Sequence, residues 1–273
     1  AEDGIRDYDV TGVQTCGLPI SPNESWKCVN ATDHYNSGTN SPQTIVIDGE
    51  PYVIFGSGNS IHINKVDVTG DSFNNVNLAI VDSSETIHEI SAEYSADEDK
   101  IYFAFYTRDN NDATTYYKLY YSYFDVSGDE VSIYDSPVYV DTLNDGPGTV
   151  PINTDRAEID IALGNGCNDG SSGSCNLHII SAHVTDEGSY SLRYNLAEVG
   201  LASDSAVFVS QDLSDIAGTG LGLGPSIDID SEGLVHILAQ SQTSNLPVYV
   251  FKNPEGSEED YTKLVNIETE AGY

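Results

Sequence analysis

The residues best suited to chemistry lie in two acidic loops, residues 108–112 (RDNND) and 142–156. An arginine there can clamp a carboxylate through two parallel hydrogen bonds, and carboxylate and amide oxygens are ligands that calcium accepts. The first loop lacks the spaced acidic residues and distal glutamate of a dedicated calcium loop. We therefore expect no resident cofactor and no metal site, and keep calcium as the alternative. The predicted ligand-binding residues are Arg108, Asp109, Asp112, Asp145, Asp155 and Arg156.

Two cysteines, Cys167 and Cys175, bracket the turn-rich segment NDGSSGS. A disulfide between them would close a short loop and contribute about 2 kcal/mol. Such a bond implies an oxidising compartment, so we expect a secreted or cell-surface protein. Cys28 has no obvious partner, and we expect its partner to lie outside this sequence.

The charge of the chain is extreme: 44 acidic residues against 10 Lys and Arg give a formal net charge of −34. Such a surface repels nucleic acid and anionic lipid, and no window is apolar and long enough for a membrane span. The acidic residues are spread along the chain rather than gathered in loops. This favours adaptation to high salt, in a halophilic or marine source, over a set of divalent-cation sites.

The first twenty residues, AEDGIRDYDVTGVQTCGLPI, resemble the translation of a sequencing-library adapter. AEDGIRD and VTGVQTCGLPI match two adapter segments, and Tyr8 and Asp9 would be the variable index between them. We therefore expect residues 1–21 to be artefactual or disordered and leave them out of the prediction of the fold. The chain also lacks methionine, so we expect a fragment of an environmental gene.

A fourfold repeat organises residues 22–273, which we predict to form one domain. Its clearest copy, PSIDIDSEGLVHILAQ (residues 225–240), reads as a strand of alternating apolar and acidic residues, a turn at Gly233 and a second apolar strand. Each repeat contains four predicted strands, which is typical of the blades of a β-propeller. Because closed propellers usually need more blades, we expect an incomplete ring; a sandwich or jelly roll is the alternative. The predicted blades span about 42–82, 88–141, 157–211 and 225–266, after a leading strand at 25–30.

The repeat resembles that of sialidase-like (BNR-type) β-propeller proteins, in which P-S-I-x-x-D-x-x-G precedes an apolar strand that holds His or Tyr. The resemblance covers residues 26 to about 266 and is clearest in the fourth repeat. The sialidase Asp-box, S-x-D-x-G-x-x-W, and the F/Y-R-I-P motif are both absent. The resemblance therefore implies the propeller fold and leaves sialidase catalysis in doubt.

The loops that join strands two and three lie on the same face of a propeller as the loops between blades, and this face usually carries the site. A sialidase-like site would need several arginines on it, an acid/base carboxylate and a nucleophile such as tyrosine. Beyond the adapter segment the only arginines are Arg108, Arg156 and Arg193, and Arg193 falls in the middle of a strand. We therefore expect a binding or adhesion module for a glycan or a protein. The alternatives are a sialidase-type glycoside hydrolase and a structural repeat of a larger surface protein; other expected partners are the remainder of the propeller and flanking domains.

Two further pairs of polar residues lie within the repeats. Asp228 and Asp230 could face a central channel, but polar strand positions and turn caps are the simpler interpretation. His178 and His236 fall within apolar strands where other repeats have Tyr, so packing within the repeat explains them better than metal ligation.

Overall fold

In the computed structural model every described regular element is a β-strand. The structure describes residues 14–17, 27–30, 40–66, 74–79, 85–109, 117–127, 130–133, 137–143, 159–164, 167, 175–184, 190–199, 206–213, 221–241, 247–252 and 261–264. Within this part of the chain there is no helix with the length and apolar content needed to cross a membrane.

Apart from a two-stranded ribbon near the N-terminus, the described strands form four antiparallel sheets, each made of strands consecutive in sequence. Blade 1 contains β3 (Asn40–Ile47), β4 (Glu50–Ser57), β5 (Ser60–Lys65) and β6 (Asn74–Ala79). Blade 2 contains β7 (Glu85–Ser95), β8 (Lys100–Asp109), β9 (Tyr117–Ser127), β10 (Glu130–Ile133) and β11 (Val138–Thr142). Blade 3 contains β12 (Ile159–Leu163), β13 (Cys175–Val184), β14 (Tyr190–Val199) and β15 (Val209–Asp212). Blade 4 contains β16 (Leu221–Ile229), β17 (Val235–Ser241), β18 (Pro247–Lys252) and β19 (Tyr261–Leu264).

The blades pack side by side in chain order. The first strand of each blade contacts the first strand of the next, so β3, β7, β12 and β16 follow one another around the inside of an arc. Over the described residues, β3 and β16 do not pack against each other as the successive first strands do. Consecutive four-stranded meanders packed around their first strands are the architecture of a propeller. The chain is a β-propeller, as predicted, and within the described residues its first and fourth blades do not pack on each other.

Strand β8 shows why the blades stack in this way. Successive side chains of a strand point to opposite faces of its sheet. Phe103 and Phe105 pack toward blade 1, whereas Tyr102 and Tyr106 pack toward blade 3. All four rings are buried, so blade 2 has an apolar layer on each face. A third layer, which includes Ile180 and Ile237, joins blades 3 and 4.

The turn of the fourth repeat has the predicted geometry. Gly233 has a φ of 80°, a left-handed conformation that side chains disfavour, and its N–H donates to the carbonyl of Asp230 over 2.9 Å. The carboxylate of Asp230 accepts the N–H groups of Glu232 and Leu234, each over 2.9 Å. Asp230 therefore caps the turn, as expected.

The disulfide between Cys167 and Cys175 is present, with the two Cα atoms 4.5 Å apart, and this prediction is confirmed. Both residues are fully buried between blades 2 and 3. The hydroxyl of Ser95, at the end of β7, donates to the carbonyl of Cys167. The disulfide thus joins Cys167 to β13, and the contact from Ser95 holds Cys167 against the preceding blade.

Three differences between the observed and the predicted strands affect the site or the excluded N-terminal segment. β7 begins at Glu85 rather than at residue 88, and a bulge between Ile87 and Glu89 accommodates the added residues. Blade 2 has two short strands, β10 and β11, that both pair with β9, where a single fourth strand was predicted. Four residues of the excluded N-terminal segment form β1 (Gln14–Gly17), which pairs with β2 (Lys27–Asn30) and places Cys16 opposite Cys28.

Candidate functional site

The end of blade 2 that carries the β8–β9 loop holds two polar clusters, one on each face of the sheet. Strand register aligns Thr86, Arg108 and Tyr117 in a row across β7, β8 and β9. Adjacent residues of β8 point to opposite faces, so Arg108 lies on the face toward blade 3 and Thr107 on the face toward blade 1.

The Arg108 cluster, defined here as Arg108, His88, Tyr106 and Tyr117, occupies the face toward blade 3. The His88 ring stacks on Tyr106 with centroids 5.8 Å apart and meets the edge of Tyr117 at 6.3 Å. Arg108 Nε is buried and has no hydrogen-bond partner among the described residues. An unpaired guanidinium nitrogen is costly to bury, so a ligand oxygen at this position would restore a missing hydrogen bond.

The Arg108 charge affects both rings beside it. Burial lowers the pKa of His88, and the nearby guanidinium lowers it further, so the imidazole is neutral at pH 7. Burial raises the pKa of Tyr117, and Arg108 partly opposes that rise. Arg108 is therefore the cation of this cluster, and His88 contributes a neutral ring.

The Glu85 cluster, defined as Glu85, Thr107, Lys118 and Tyr120, occupies the opposite face. Thr107 Oγ1 and Lys118 Nζ donate to the buried Glu85 carboxylate over 2.7 and 2.6 Å, and Tyr120 OH lies 3.4 Å from it. Burial and the Glu85 charge raise the pKa of Tyr120, which keeps its phenol protonated. These contacts make Glu85 an anchor for the end of β7.

Sequence reasoning missed Glu85, Lys118 and Tyr120. The predicted first strand of blade 2 begins at residue 88 and therefore omits Glu85, which is the first residue of β7. Extending the strand by the register of β8, which sets Glu85 opposite Asp109, would have revealed it.

The predicted ligand-binding residues are only partly described. Arg108 lies near the end of β8, and Asp109 is the last residue of that strand. Asp112, Asp145, Asp155 and Arg156 lie outside the described residues. Leu143, which leads into the segment that holds three of them, is buried and donates its N–H to the carbonyl of Tyr117 over 2.8 Å. That segment therefore leaves blade 2 from beside the Arg108 cluster.

Arg193 is engaged elsewhere. Its Nη1 contacts both carboxylate oxygens of Asp141 on β11, at 2.9 and 3.1 Å, and its Nη2 lies 3.2 Å from His183 Nε2. Because Asp141 belongs to blade 2 and Arg193 to blade 3, this ion pair joins β11 of one blade to β14 of the next.

The two repeat histidines have equivalent contacts in their own blades. His178 Nδ1 lies 2.6 Å from the hydroxyl of Tyr194 on β14, and His236 Nδ1 contacts the hydroxyl of Tyr249 on β18. His236 Nε2 also lies 3.0 Å from Asp230. Packing within the repeat accounts for both, and no group of three or more His, Cys, Asp or Glu suited to a metal occurs among the described residues.

A set of carboxylates lines the inner strands. Glu93 on β7 accepts the N–H of Leu163 over 2.7 Å. The Glu93 pKa is raised to about 7, mainly by burial and also by the nearby charges of Asp228 and Asp160, while this hydrogen bond partly opposes the rise. Glu93 lies seven residues along β7 from the Arg108 row, roughly 23 Å at the rise of a strand. The group therefore takes no part in the Arg108 cluster.

Comparison with known proteins adds two solved structures. A point mutant of the NanB sialidase from Streptococcus pneumoniae has 14% identity and a TM-score of 0.47, over 81% of this chain and 32% of that one. A GH43 β-1,3-galactosidase with galactodeoxynojirimycin has 13% identity and a TM-score of 0.40, over 88% of this chain and 79% of that one. The chain thus spans about a third of the NanB length. No family description and no curated protein sequence matches it.

Proposed function

We propose that the protein is a glycan-binding module, secreted or displayed at a cell surface, that holds an acidic glycan at the Arg108 cluster. The observation that carries this proposal is the buried Arg108 Nε, which has no hydrogen-bond partner within the part of the chain that the structure describes. A guanidinium presents parallel N–H groups that fit a sugar carboxylate, and the adjacent neutral His88 ring offers a planar surface for a sugar ring.

Two further features support the position of the binding site, and a third supports the expected compartment. The cluster lies where blade 2 faces blade 3, on the propeller face where the β8–β9 loop and the segment after Leu143 both begin. The second of these carries the predicted residues Asp145, Asp155 and Arg156. The disulfide fits an oxidising environment outside the cytoplasm.

Binding is favoured over hydrolysis by the arrangement of the described carboxylates. A sialidase-type site would bring an arginine, a carboxylate and a tyrosine together. Glu85 and Tyr120 are such a pair, but they lie on the other face of blade 2 and Glu85 is already bonded to Thr107 and Lys118. Glu93, whose raised pKa would suit a general acid, lies roughly 23 Å from the Arg108 row.

The test is a glycan array probed with the full chain and with Arg108→Ala. We expect binding to carboxylate-bearing glycans that is lost in the variant. Lys100→Ala is the matched control, because Lys100 lies at the opposite end of β8, and it should bind as the wild type does. Equal binding by wild type and Arg108→Ala would contradict the proposal.

The hydrolase alternative is tested with a fluorogenic sialoside. We expect no turnover above that of the buffer. Turnover that Tyr120→Phe abolishes would replace the binding proposal with an enzymatic one.

A further inference from the structure

We propose that the outer face of blade 4 docks a further blade of the same repeat type, whose first strand presents a hydroxyl residue followed by an apolar residue to Asp228. This surface is separate from the Arg108 cluster and does not depend on its function.

The bonding pattern that supports this is seen between blades 3 and 4. Asp160 on β12 accepts the hydroxyl of Ser226 and the N–H of Ile227 at its Oδ2, each over 3.0 Å. Its Oδ1 accepts the N–H of the following residue, Ile161, over 3.0 Å. One carboxylate thus fixes the first strand of its own blade and receives the first strand of the next.

Asp228 on blade 4 makes the same hydrogen bond within its own strand as Asp160 does. It lies within the same Ile-Asp-Ile sequence, and its Oδ1 accepts the N–H of Ile229 over 2.9 Å. Asp228 is exposed, and its Oδ2 has no partner among the described residues. The oxygen that receives Ser226 and Ile227 in blade 3 is therefore available in blade 4.

The sheet behind Asp228 is apolar, and among the described residues blade 3 covers one of its faces while the other is more exposed. Val235, Ile237 and Val250 are buried against blade 3. The alternating residues on the other face, which include Leu238 and Tyr249, are more exposed, with Leu238 at 41%. In blade 3, by contrast, β13 is buried on both faces.

Within its described residues, blade 1, at the opposite end of the arc, has no comparable exposed face, and this argues against a second copy of the chain as the occupant of blade 4. Val53 and Phe55, on the face of blade 1 that points away from blade 2, are both fully buried. A second copy of the chain therefore meets no open blade face there, and the dense negative charge opposes self-association. A sheet with a Ser-apolar first strand matches both the free Asp228 oxygen and the exposed apolar face.

The test extends the full chain with a second copy of residues 221–264 after a flexible linker, in 1 M NaCl so that charge repulsion is screened. Leu238→Cys reports the docking through its rate of thiol labelling, read by peptide mass spectrometry. We expect the extension to slow labelling at residue 238 at least tenfold. Val209→Cys, exposed on β15 of blade 3, is the control and should label at an unchanged rate.

The contribution of Asp228 is tested in the same extended chain. Asp228→Ala should speed labelling at residue 238 about fivefold, the effect of losing a typical hydrogen bond, and replacing the serine of the added copy by alanine should act in the same direction. Glu232→Ala removes an exposed acid from the same blade and should have no effect. Equal effects of Asp228→Ala and Glu232→Ala would overturn the role of Asp228.

A second measurement applies even where the added copy does not fold. A labelled peptide of residues 221–234 is titrated into the unextended chain, and its serine-to-alanine version should bind about fivefold more weakly. Unchanged labelling at residue 238 together with no peptide binding would overturn the proposal. Protection of residue 238 that grows with the concentration of the unextended chain would assign the face to a second copy and overturn it too.

Discussion

Leu163 of β12 donates its backbone N–H to the Glu93 carboxylate of β7 across the junction of blades 2 and 3, over 2.7 Å. The acceptor is a half-buried acid close to two other carboxylates, Asp160 and Asp228. The inner strands therefore combine a stabilising hydrogen bond with electrostatic repulsion, and the balance between them depends on pH.

Glu93→Gln should alter the dependence of stability on pH. Folding raises the Glu93 pKa from 4.5 to about 7. The folded state therefore binds the Glu93 proton more tightly than the unfolded chain does. This contribution to the free energy of unfolding is fully present below pH 4.5 and is lost as the pH rises through 7. At pH 8 the variant should be more stable than the wild type by about 2 kcal/mol, and at pH 4 the two should agree. Urea unfolding at both pH values measures this. Glu232→Gln, at an exposed position, is the control; equal stabilities of wild type and Glu93→Gln at pH 8 would contradict the account.

Asp160→Ala should destabilise the propeller by roughly 2–4 kcal/mol, because it removes the acceptor for two hydroxyls and two backbone N–H groups. The hydroxyls belong to Ser91 and Ser226, so blades 2, 3 and 4 all lose a contact. Asp228→Ala is the matched control: the residue has the same sequence context but is exposed, and it should change stability by less than about 0.5 kcal/mol. Chemical denaturation compares them, and equal losses would refute the bridging role of Asp160.

Removing the disulfide with the double variant Cys167→Ala, Cys175→Ala should lower stability by about 2 kcal/mol. The variant also loosens the contact that Ser95 makes with the Cys167 carbonyl. Hydrogen exchange should therefore speed up at the end of β7 as well as in β13. Faster exchange in β13 alone would show that the disulfide does not support the preceding blade.

Salt should stabilise the folded chain. With 44 acidic residues and 10 Lys and Arg, self-repulsion is strong at low ionic strength, and the screening length falls from about 10 Å at 0.1 M salt to about 3 Å at 1 M. The melting temperature should rise steadily between 0.1 and 2 M KCl. Glucose at matched osmolality serves as the uncharged control, and a melting temperature that does not change with KCl would contradict adaptation to salt.

The fold could be predicted from the sequence more completely than the candidate site. Alternating apolar residues recur in register along the chain, so strand positions and blade order follow from short-range patterns. The Glu85 cluster escaped prediction because it depends on a strand extension with a bulge, which is determined by cross-strand pairing. Arg108 and Glu85 lie on opposite faces of blade 2, and predicting this requires the register of β7, β8 and β9. No single stretch of the sequence contains that register.

The central claim, that Arg108 holds a sugar carboxylate, is tested most directly by a double-mutant cycle in calorimetry. An acidic glycan that the array identifies and its methyl ester are each titrated into the wild type and into Arg108→Ala. The wild type should prefer the acid by about tenfold or more, as expected for a hydrogen bond to a charged group, and Arg108→Ala should not distinguish the two. The same preference for the acid in both proteins would place the carboxylate away from Arg108 and contradict the account.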